Sequence, residues 1–146
     1  MKELAWEIAE TSLMMRRHFN RRAAGLGVTS AQWRALVWLS HEPRLKQVEL
    51  AERLDVEPIT AGRIVDRLEE AGLVERQPDP VDRRAWRLVL TDKAEPIIER
   101  LRILAEDMAG DIFAGLEVEE LEAVRAKLAR VRENIGRTEA AQRKSA

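Results

Sequence analysis

The stretch DRRAWRLVLT, residues 82–91, joins a charged turn to a short strand. Apolar side chains alternate with other residues over 86–90, which is the pattern of a strand with one buried face. Residues 73–76, which begin with Leu73 and Val74, are predicted as a partner strand, and the segment 78–80 between the two strands, with two prolines, predicts a long tip. The sequence therefore predicts a β-hairpin that projects from the protein.

The residues before the hairpin predict two helices joined by a tight turn. Apolar residues, Val48 among them, recur at three-residue steps through 45–54 and are predicted to face inward. Pro58 suits the first position of a following helix because its missing N–H would be unpaired there. On that helix Thr60, Arg63 and Arg67 are spaced i, i+3 and i+7, so they share one outer face. A short helix, a turn and a second helix with a polar outer face are typical of a helix-turn-helix.

The outer face of the second helix has the chemistry of a DNA reader. The major groove of B-DNA is wide enough to take a helix, whose N-terminal half then meets the base edges. Arg63 can pair bidentately with guanine, and Thr60 can hydrogen-bond or touch a thymine methyl group. Arg67 lies further along the helix, and we expect it at a phosphate.

Arginines cluster at and beside the predicted hairpin tip, at Arg83, Arg84 and Arg87. Arginine on a protruding ribbon can enter the minor groove, where narrow A·T tracts concentrate negative potential. The Asp82 carboxylate, two residues before an arginine, can hold a guanidinium in one orientation. The alternative is a solvated turn whose charges only keep the protein soluble.

Long helices are predicted on both sides of this central part. Residues 2–24 carry an apolar stripe, with Leu4 and Ile8 on it, that is wider than one neighbour needs. Helices are also predicted over 30–41, after a capping box, and over 93–113. A last helix over 117–137 has apolar residues at steps of 3, 4, 3 and 4, which is typical of a coiled-coil seam. These are Leu121, Val124, Leu128, Val131 and Ile135. The polar segment 138–146 is predicted to be a disordered tail.

Composition narrows the function classes. The 146 residues fit one domain, and their net charge is -1, although small nucleic-acid binders are usually basic. A local basic edge can still act on a neutral protein. The chain has no cysteine and two distant histidines, so neither a metal site nor a cofactor is predicted. The charged start and the lack of a long apolar run predict a cytoplasmic location.

Two other classes of function compete with DNA binding. Catalysis is not predicted, because the acidic residues fall on helix exteriors and no phosphate loop, nucleophile elbow or metal motif is present. A winged-helix module that binds another protein instead of DNA is the second alternative, and the net charge favours it.

Residues 82–91 match D-x-R-x-x-x-L-x-L-T, the wing signature of the MarR family, which this sequence therefore resembles. The segment 66–76 is also typical of that family, and 90–96 looks closest to its SlyA-like branch. The likeness in element order covers residues 2–137, and the match at the level of motifs covers about 45–96. The motifs are specific because helix, turn and wing follow in the family's order and spacing.

The resemblance implies a mainly α fold with a small β-hairpin wing. Residues 1–146 would form one domain, with the winged helix-turn-helix over 30–92 and dimerisation helices over 2–24 and 93–137. It implies a homodimeric repressor on a pseudo-palindromic operator, with Arg84 in the minor groove and Asp82 as its holder. The apolar stripe of the first helix and the coiled-coil seam would form the dimer interface.

The resemblance also implies control by a small aromatic or anionic effector. Ligands of the family often lie between the dimer helices and the winged part, a cleft that Arg17, His18, Trp33 and Val37 can approach. For Trp33 the alternative is an ordinary core residue at helical spacing. Oxidant sensing through cysteine, which one branch of the family uses, is excluded here because the chain has no cysteine.

Overall fold

The computed structural model describes residues 1–145. Over these residues the chain forms α-helices and one antiparallel hairpin, which confirms the predicted fold class. The elements in order are α1 (Lys2–Ala23), α2 (Ser30–His41), α3 (Gln47–Leu54), α4 (Pro58–Glu70), β1 (Val74–Pro78), β2 (Trp86–Leu90), α5 (Glu95–Ile112) and α6 (Val118–Ser145). Two compact units divide the chain, Met1–Met108 and a second that begins at Ala109.

The capping box predicted at the start of α2 is confirmed. The Gln32 backbone N–H donates to Thr29 Oγ1 at 3.2 Å, and the Thr29 backbone N–H donates to Gln32 Oε1 at 2.9 Å. Each side chain thereby satisfies a backbone donor that the helix leaves unpaired. The buried residues of α2 are Ala35, Leu36 and Leu39. Ser40, at the C-terminal end of α2, is exposed.

The helix predicted over 45–54 begins two residues later, at Gln47. Leu45 is buried in extended backbone, where its carbonyl accepts the Leu88 N–H at 2.9 Å, and Lys46 forms a β-bridge with Arg87. This pairing with β2 holds the segment out of the helix. Val48, predicted to face inward, is 57% exposed.

A hydrophobic core in the first unit holds the helix-turn-helix to the hairpin. The Leu88 side chain of β2 is fully buried, whereas Trp86 on the same strand face is 46% exposed. The tip end of that face therefore lies outside the core. The buried residues of this core are Ala35, Leu36, Leu39, Leu45, Leu50, Leu54, Val65, Leu68, Leu73, Val74, Leu88 and Ala94.

The base of the hairpin is tied to the end of α4. Gly72 has a φ of 74°, a left-handed conformation that suits glycine and turns the chain from α4 into β1. The Thr91 hydroxyl donates to the Gly72 carbonyl at 2.6 Å, and the Thr91 N–H donates to the Leu73 carbonyl at 3.1 Å. Thr91 therefore closes the hairpin rather than capping the next helix with its side chain.

In the second unit, α6 is longer than predicted. It continues past residue 137 to Ser145, so the tail predicted to be disordered from 138 is helical as far as 145, and residue 146 lies outside the described residues. Helix propensity explains the extension, since residues 139–144 include Glu, Ala, Gln, Arg and Lys, all good helix formers. Within the described part of the chain, no helix has the length and apolar character needed to cross a membrane.

Candidate nucleic-acid interface

The turn between α3 and α4 sets the direction of α4. Asp55 adopts a left-handed conformation, with a φ of 54°, and its N–H bonds back to the carbonyls of Ala51 and Glu52. Arg34 of α2 donates to the Leu54 carbonyl at 3.0 Å. A carbonyl that the C-terminal end of α3 leaves unpaired therefore has a hydrogen-bond donor from outside the helix. α4 therefore starts from a turn whose backbone groups are paired.

α4 presents the predicted readers to solvent. Its inner face is buried through Ala61, Val65 and Leu68. Thr60, Arg63 and Arg67 are all exposed. This places the three predicted residues together on one accessible helix face, as a major-groove contact requires.

Arg76 of β1 joins the hairpin to α4, a role that the sequence did not indicate. Its Nε donates to Gln47 Oε1 at 3.0 Å and its Nη2 to the Gly62 carbonyl at 3.2 Å. Nη2 also lies 2.7 Å from Asp66 Oδ1, and Nη1 lies 3.4 Å from Glu69 Oε1. The Arg76 side chain is only 18% exposed. One guanidinium thus fixes the hairpin against the middle of α4, where Gly62 weakens the helix.

The hairpin tip is organised by Asp79, whose side chain is 2% exposed. Its Oδ1 accepts the backbone N–H of Val81 at 2.9 Å and of Asp82 at 2.8 Å, and its Oδ2 accepts from Arg87 Nε. The Asp82 and Val81 N–H groups, and then the Arg87 guanidinium, hold the pKa of Asp79 well below its usual value. A charged carboxylate is therefore the stable centre of the tip.

The predicted pairing of Asp82 with the Arg84 guanidinium is wrong. Asp82 Oδ1 accepts the backbone N–H of Arg84 at 3.0 Å, because the tight turn brings the amide closer than the end of the long side chain. Asp82 therefore shapes the backbone of the tip. Arg83 and Arg84 are exposed, and within residues 1–145 the Arg84 guanidinium has no partner.

Arg87 differs from Arg83 and Arg84, because its guanidinium is bound within the protein. Its Nε is paired with Asp79, and its Nη1 donates to the Arg44 carbonyl at 3.0 Å. The side chain is 30% exposed. Arg87 thus holds the wing to the loop before α3, and two of its donor groups are already used. Its contact with DNA stays a prediction.

A cavity of about 400 Å³ in the first unit lies between α1, α2 and α5, and its lining is mostly apolar. Trp33 and Val37, two of the predicted ligand residues, line it. The other two do not, and Arg16 is present in place of Arg17. One residue along a helix turns the side chain by 100°, which explains the exchange. His18 instead lies 3.4 Å from Arg21 Nη2.

The alternative interpretation of Trp33 is also partly supported. Its Nε1 donates to Asn20 Oδ1 at 2.7 Å, and its ring lies 4.5 Å from that of Phe19. Trp33 is therefore packed and hydrogen-bonded while one surface lines the cavity. A larger groove of about 790 Å³ includes Asp92, Glu95 and Glu99 in its lining, and those carboxylates would repel an anion.

Some of the residues that organise the site could have been found from sequence. Asp79 lies between Pro78 and Pro80, and aspartate in such a tip commonly accepts backbone N–H groups two residues on. Arg76 gave no local signal, because its partner Gln47 is 29 residues away. Within the described part of the chain, no cluster of three or more His, Asp or Glu side chains could hold a metal ion.

Comparisons with known proteins agree with this geometry. A family model described as the MarR family matches residues 28–86. A crystal structure of transcriptional regulator PA3341 is 33% identical, with a TM-score of 0.83, and the match covers 92% of this chain and 98% of that one. A structure of MarR is 30% identical, with a TM-score of 0.75 and the same shares covered. A mutant MarR from E. coli, complexed with operator DNA, is 28% identical, with a TM-score of 0.73, and the match covers 88% and 93%.

Proposed function

This chain belongs to the MarR family of transcriptional regulators, which are not enzymes, and from that premise we propose that it represses transcription by binding operator DNA. The observation that carries the proposal is the exposed set of Thr60, Arg63 and Arg67 on α4, beside a wing that exposes Arg84. α4 enters the major groove and Arg84 the minor groove. The related MarR bound to operator DNA supports this assignment.

The local placement of charge accounts for DNA binding by a chain of net charge -1. Arg63 and Arg67 lie on the outer face of α4, and Arg83 and Arg84 on the wing, while the Asp79 carboxylate is turned inward and paired. A phosphate backbone therefore meets cations although the whole protein is nearly neutral.

We propose a cytoplasmic location for the protein. We also propose that it belongs to the SlyA-like branch of the family, which residues 90–96 favour.

The DNA proposal is tested with Arg84→Ala and Arg63→Ala, and with Arg100→Ala as a control on the exposed surface of α5. Duplexes selected from a random pool by the wild-type protein serve as probes. Each of the first two changes should weaken binding by about 1–3 kcal/mol, or about 5- to 150-fold, and the control should not. Affinity should also fall steeply with salt.

The opposite result would favour another class of function. If neither arginine change alters binding to any duplex, and binding shows no salt dependence, the chain is a winged-helix module for protein partners. The net charge of -1 is the observation that favours this second candidate.

We propose that the protein acts as a homodimer. In the first unit, α1 leaves Leu4 52% and Ile8 38% exposed. In the second unit, the predicted seam of α6 leaves Val124, Val131 and Ile135 exposed by 42–56%, with Leu121 and Leu128 half-buried. Apolar surface of this extent is stabilised by a partner chain.

Sedimentation equilibrium tests the dimer. Wild type should sediment as a dimer at micromolar concentration, and Val131→Asp should shift it to monomer by placing a charge in the seam. Ala126→Glu is the matched control, because residue 126 is exposed on the side of α6 away from the seam. A folded wild-type monomer at that concentration would contradict the proposal.

We further propose that the cavity lined by Trp33 and Val37 takes a small aromatic or anionic effector that releases the DNA. Its apolar walls suit an aromatic ring, and Arg16 can meet a carboxylate. With 4-hydroxybenzoate and benzoate as probes, the melting temperature should rise for wild type and for Arg17→Ala, and the rise should be lost in Arg16→Ala. If no phenolic acid shifts melting temperature or operator affinity, the effector proposal fails.

A further inference from the structure

We infer that Ile59 is a specificity-determining residue that contacts the methyl group of a thymine in the major groove, about two base pairs from the base read by Arg63. The inference rests on the proposed function, because it assumes that α4 enters the major groove. It adds an apolar base contact to the contacts proposed for Thr60 and Arg63.

The placement of Ile59 is the first observation. It is 69% exposed and occupies the second position of α4, directly after Pro58. Ile59 and the buried Leu68 are nine residues apart, which is about two and a half turns of helix, so they face opposite sides. Ile59 therefore lies on the most outward line of α4, at the end of the helix that meets base edges.

The neighbours of Ile59 on that line are the second observation. Arg63 follows at i+4 and is exposed on the same face. Arg67 continues the face one turn further on, and is also exposed. Asp66 is also exposed on this side, but its carboxylate is paired with Arg76 at 2.7 Å. An isoleucine followed on an outer face by two cations fits a polyanion with local apolar features better than it fits an apolar protein groove.

The chemistry of the groove selects the ligand. Ile59 has no hydrogen-bonding group in its side chain, and the apolar feature that base pairs present in the major groove is the C5-methyl group of thymine. A β-branched side chain in a helix has one strongly preferred rotamer, so little conformational entropy is lost on contact. Ile59 is thus a rigid apolar contact already directed outward.

Helix geometry predicts the spacing in the operator. Four residues of α-helix advance about 6 Å along the axis, and successive base pairs are about 3.4 Å apart. A helix lying along the groove therefore separates the bases met by Ile59 and Arg63 by about two base pairs. Each half-site should contain a thymine at this distance from a guanine.

Selection of duplexes from a random pool, with the full-length protein, gives the first test. Wild type should enrich thymine at one position in each half-site, and Ile59→Ala should lose that enrichment and keep the guanine. Ile103→Ala is the matched control, since Ile103 is an exposed isoleucine of α5, at 44%. Its base preference should equal that of wild type.

Deoxyuridine in place of the selected thymine of one half-site gives the second test, because it removes only one methyl group. Wild type should bind about fourfold more weakly, the factor that corresponds to about 0.8 kcal/mol for one buried methyl-sized group. Ile59→Ala should bind both duplexes equally. Equal binding of both duplexes by wild type, or discrimination retained by Ile59→Ala, overturns the inference.

Failure of DNA binding and failure of the Ile59 contact give different results in these experiments. If wild type selects no duplex, the proposed function fails and the inference with it. If wild type selects duplexes with a guanine that depends on Arg63 but no thymine that depends on Ile59, the inference alone is wrong.

Discussion

Replacement of Arg76 by methionine should destabilise the protein by about 3 kcal/mol, because this side chain joins β1 to α3 and α4. The guanidinium donates to Gln47 Oε1 and to the Gly62 carbonyl while only 18% of the side chain is exposed. Each of these two hydrogen bonds is worth about 1–1.5 kcal/mol. Asp66 and Glu69 are 57% and 44% exposed, so their ion pairs add at most about 1 kcal/mol together.

Urea unfolding, followed by circular dichroism, measures the effect. With a slope of about 2 kcal/mol per molar urea, the midpoint of Arg76→Met should fall by about 1.5 M. The slope itself should be unchanged if the native and unfolded states keep their exposed surface. Methionine retains an unbranched apolar stem, so the loss reports the guanidinium and its partners.

Arg53→Met is the control for this experiment. Arg53 forms a bidentate ion pair with Glu42 at 2.9 Å, but both side chains are 37% exposed. Replacement of Arg53 should therefore lower the free energy of unfolding by less than about 1 kcal/mol. If Arg76→Met lowers the urea midpoint no more than Arg53→Met does, the hydrogen bonds of Arg76 do not hold the hairpin to α4 and the reasoning is refuted.

Three further predictions concern the cap of α2, the turn before α4 and the wing tip. Thr29→Ala removes the side-chain cap and should cost about 1 kcal/mol in urea unfolding; no change would mean that the capping box adds nothing. Asp55→Gly should stabilise the protein by about 0.5–1 kcal/mol, because glycine adopts the left-handed conformation without steric cost; a loss would show that the aspartate side chain matters more. Asp79→Asn should lower the melting temperature at pH 7. Because the pKa of Asp79 is lower in the folded protein than its usual 3.8, its stabilisation is present above about pH 4 and is lost as pH falls further. The difference in melting temperature should therefore shrink below pH 4, and a constant difference would contradict the assignment.

Local signals in the sequence were sufficient for the elements of the site. The Thr29–Gln32 capping box, Pro58 at the start of α4 and the alternation along β2 each depend on residues within a few positions of one another. Such patterns involve only residues close together in the sequence, so they can be recognised without knowledge of the fold. The same is true of the outer face of α4, since helical spacing places Arg63 and Arg67 together.

Errors of prediction arose where distant segments meet. The start of α3 moved from 45 to Gln47 because the preceding residues pair with β2, more than 40 positions later. The Asp82 carboxylate accepts the backbone N–H of Arg84 and not its guanidinium, because the sequence does not show the path of the backbone through the turn. The predicted burial of Val48 is also wrong, because the packing of α3 against the rest of the protein determines which face of this helix is buried, and Val48 lies on the exposed face.

Patterns along the chain are thus enough to predict a helix-turn-helix, a wing and an outer row of arginines. Which arginines are bound within the protein and which are left exposed depends on how the segments pack together. Arg76 and Arg87 are held in place by Gln47, Asp79 and the Arg44 carbonyl, while the Arg84 guanidinium extends into solvent. Helix and strand periodicity depends on neighbours along the chain. The partner of a long charged side chain depends on distances between segments that only the folded core brings together.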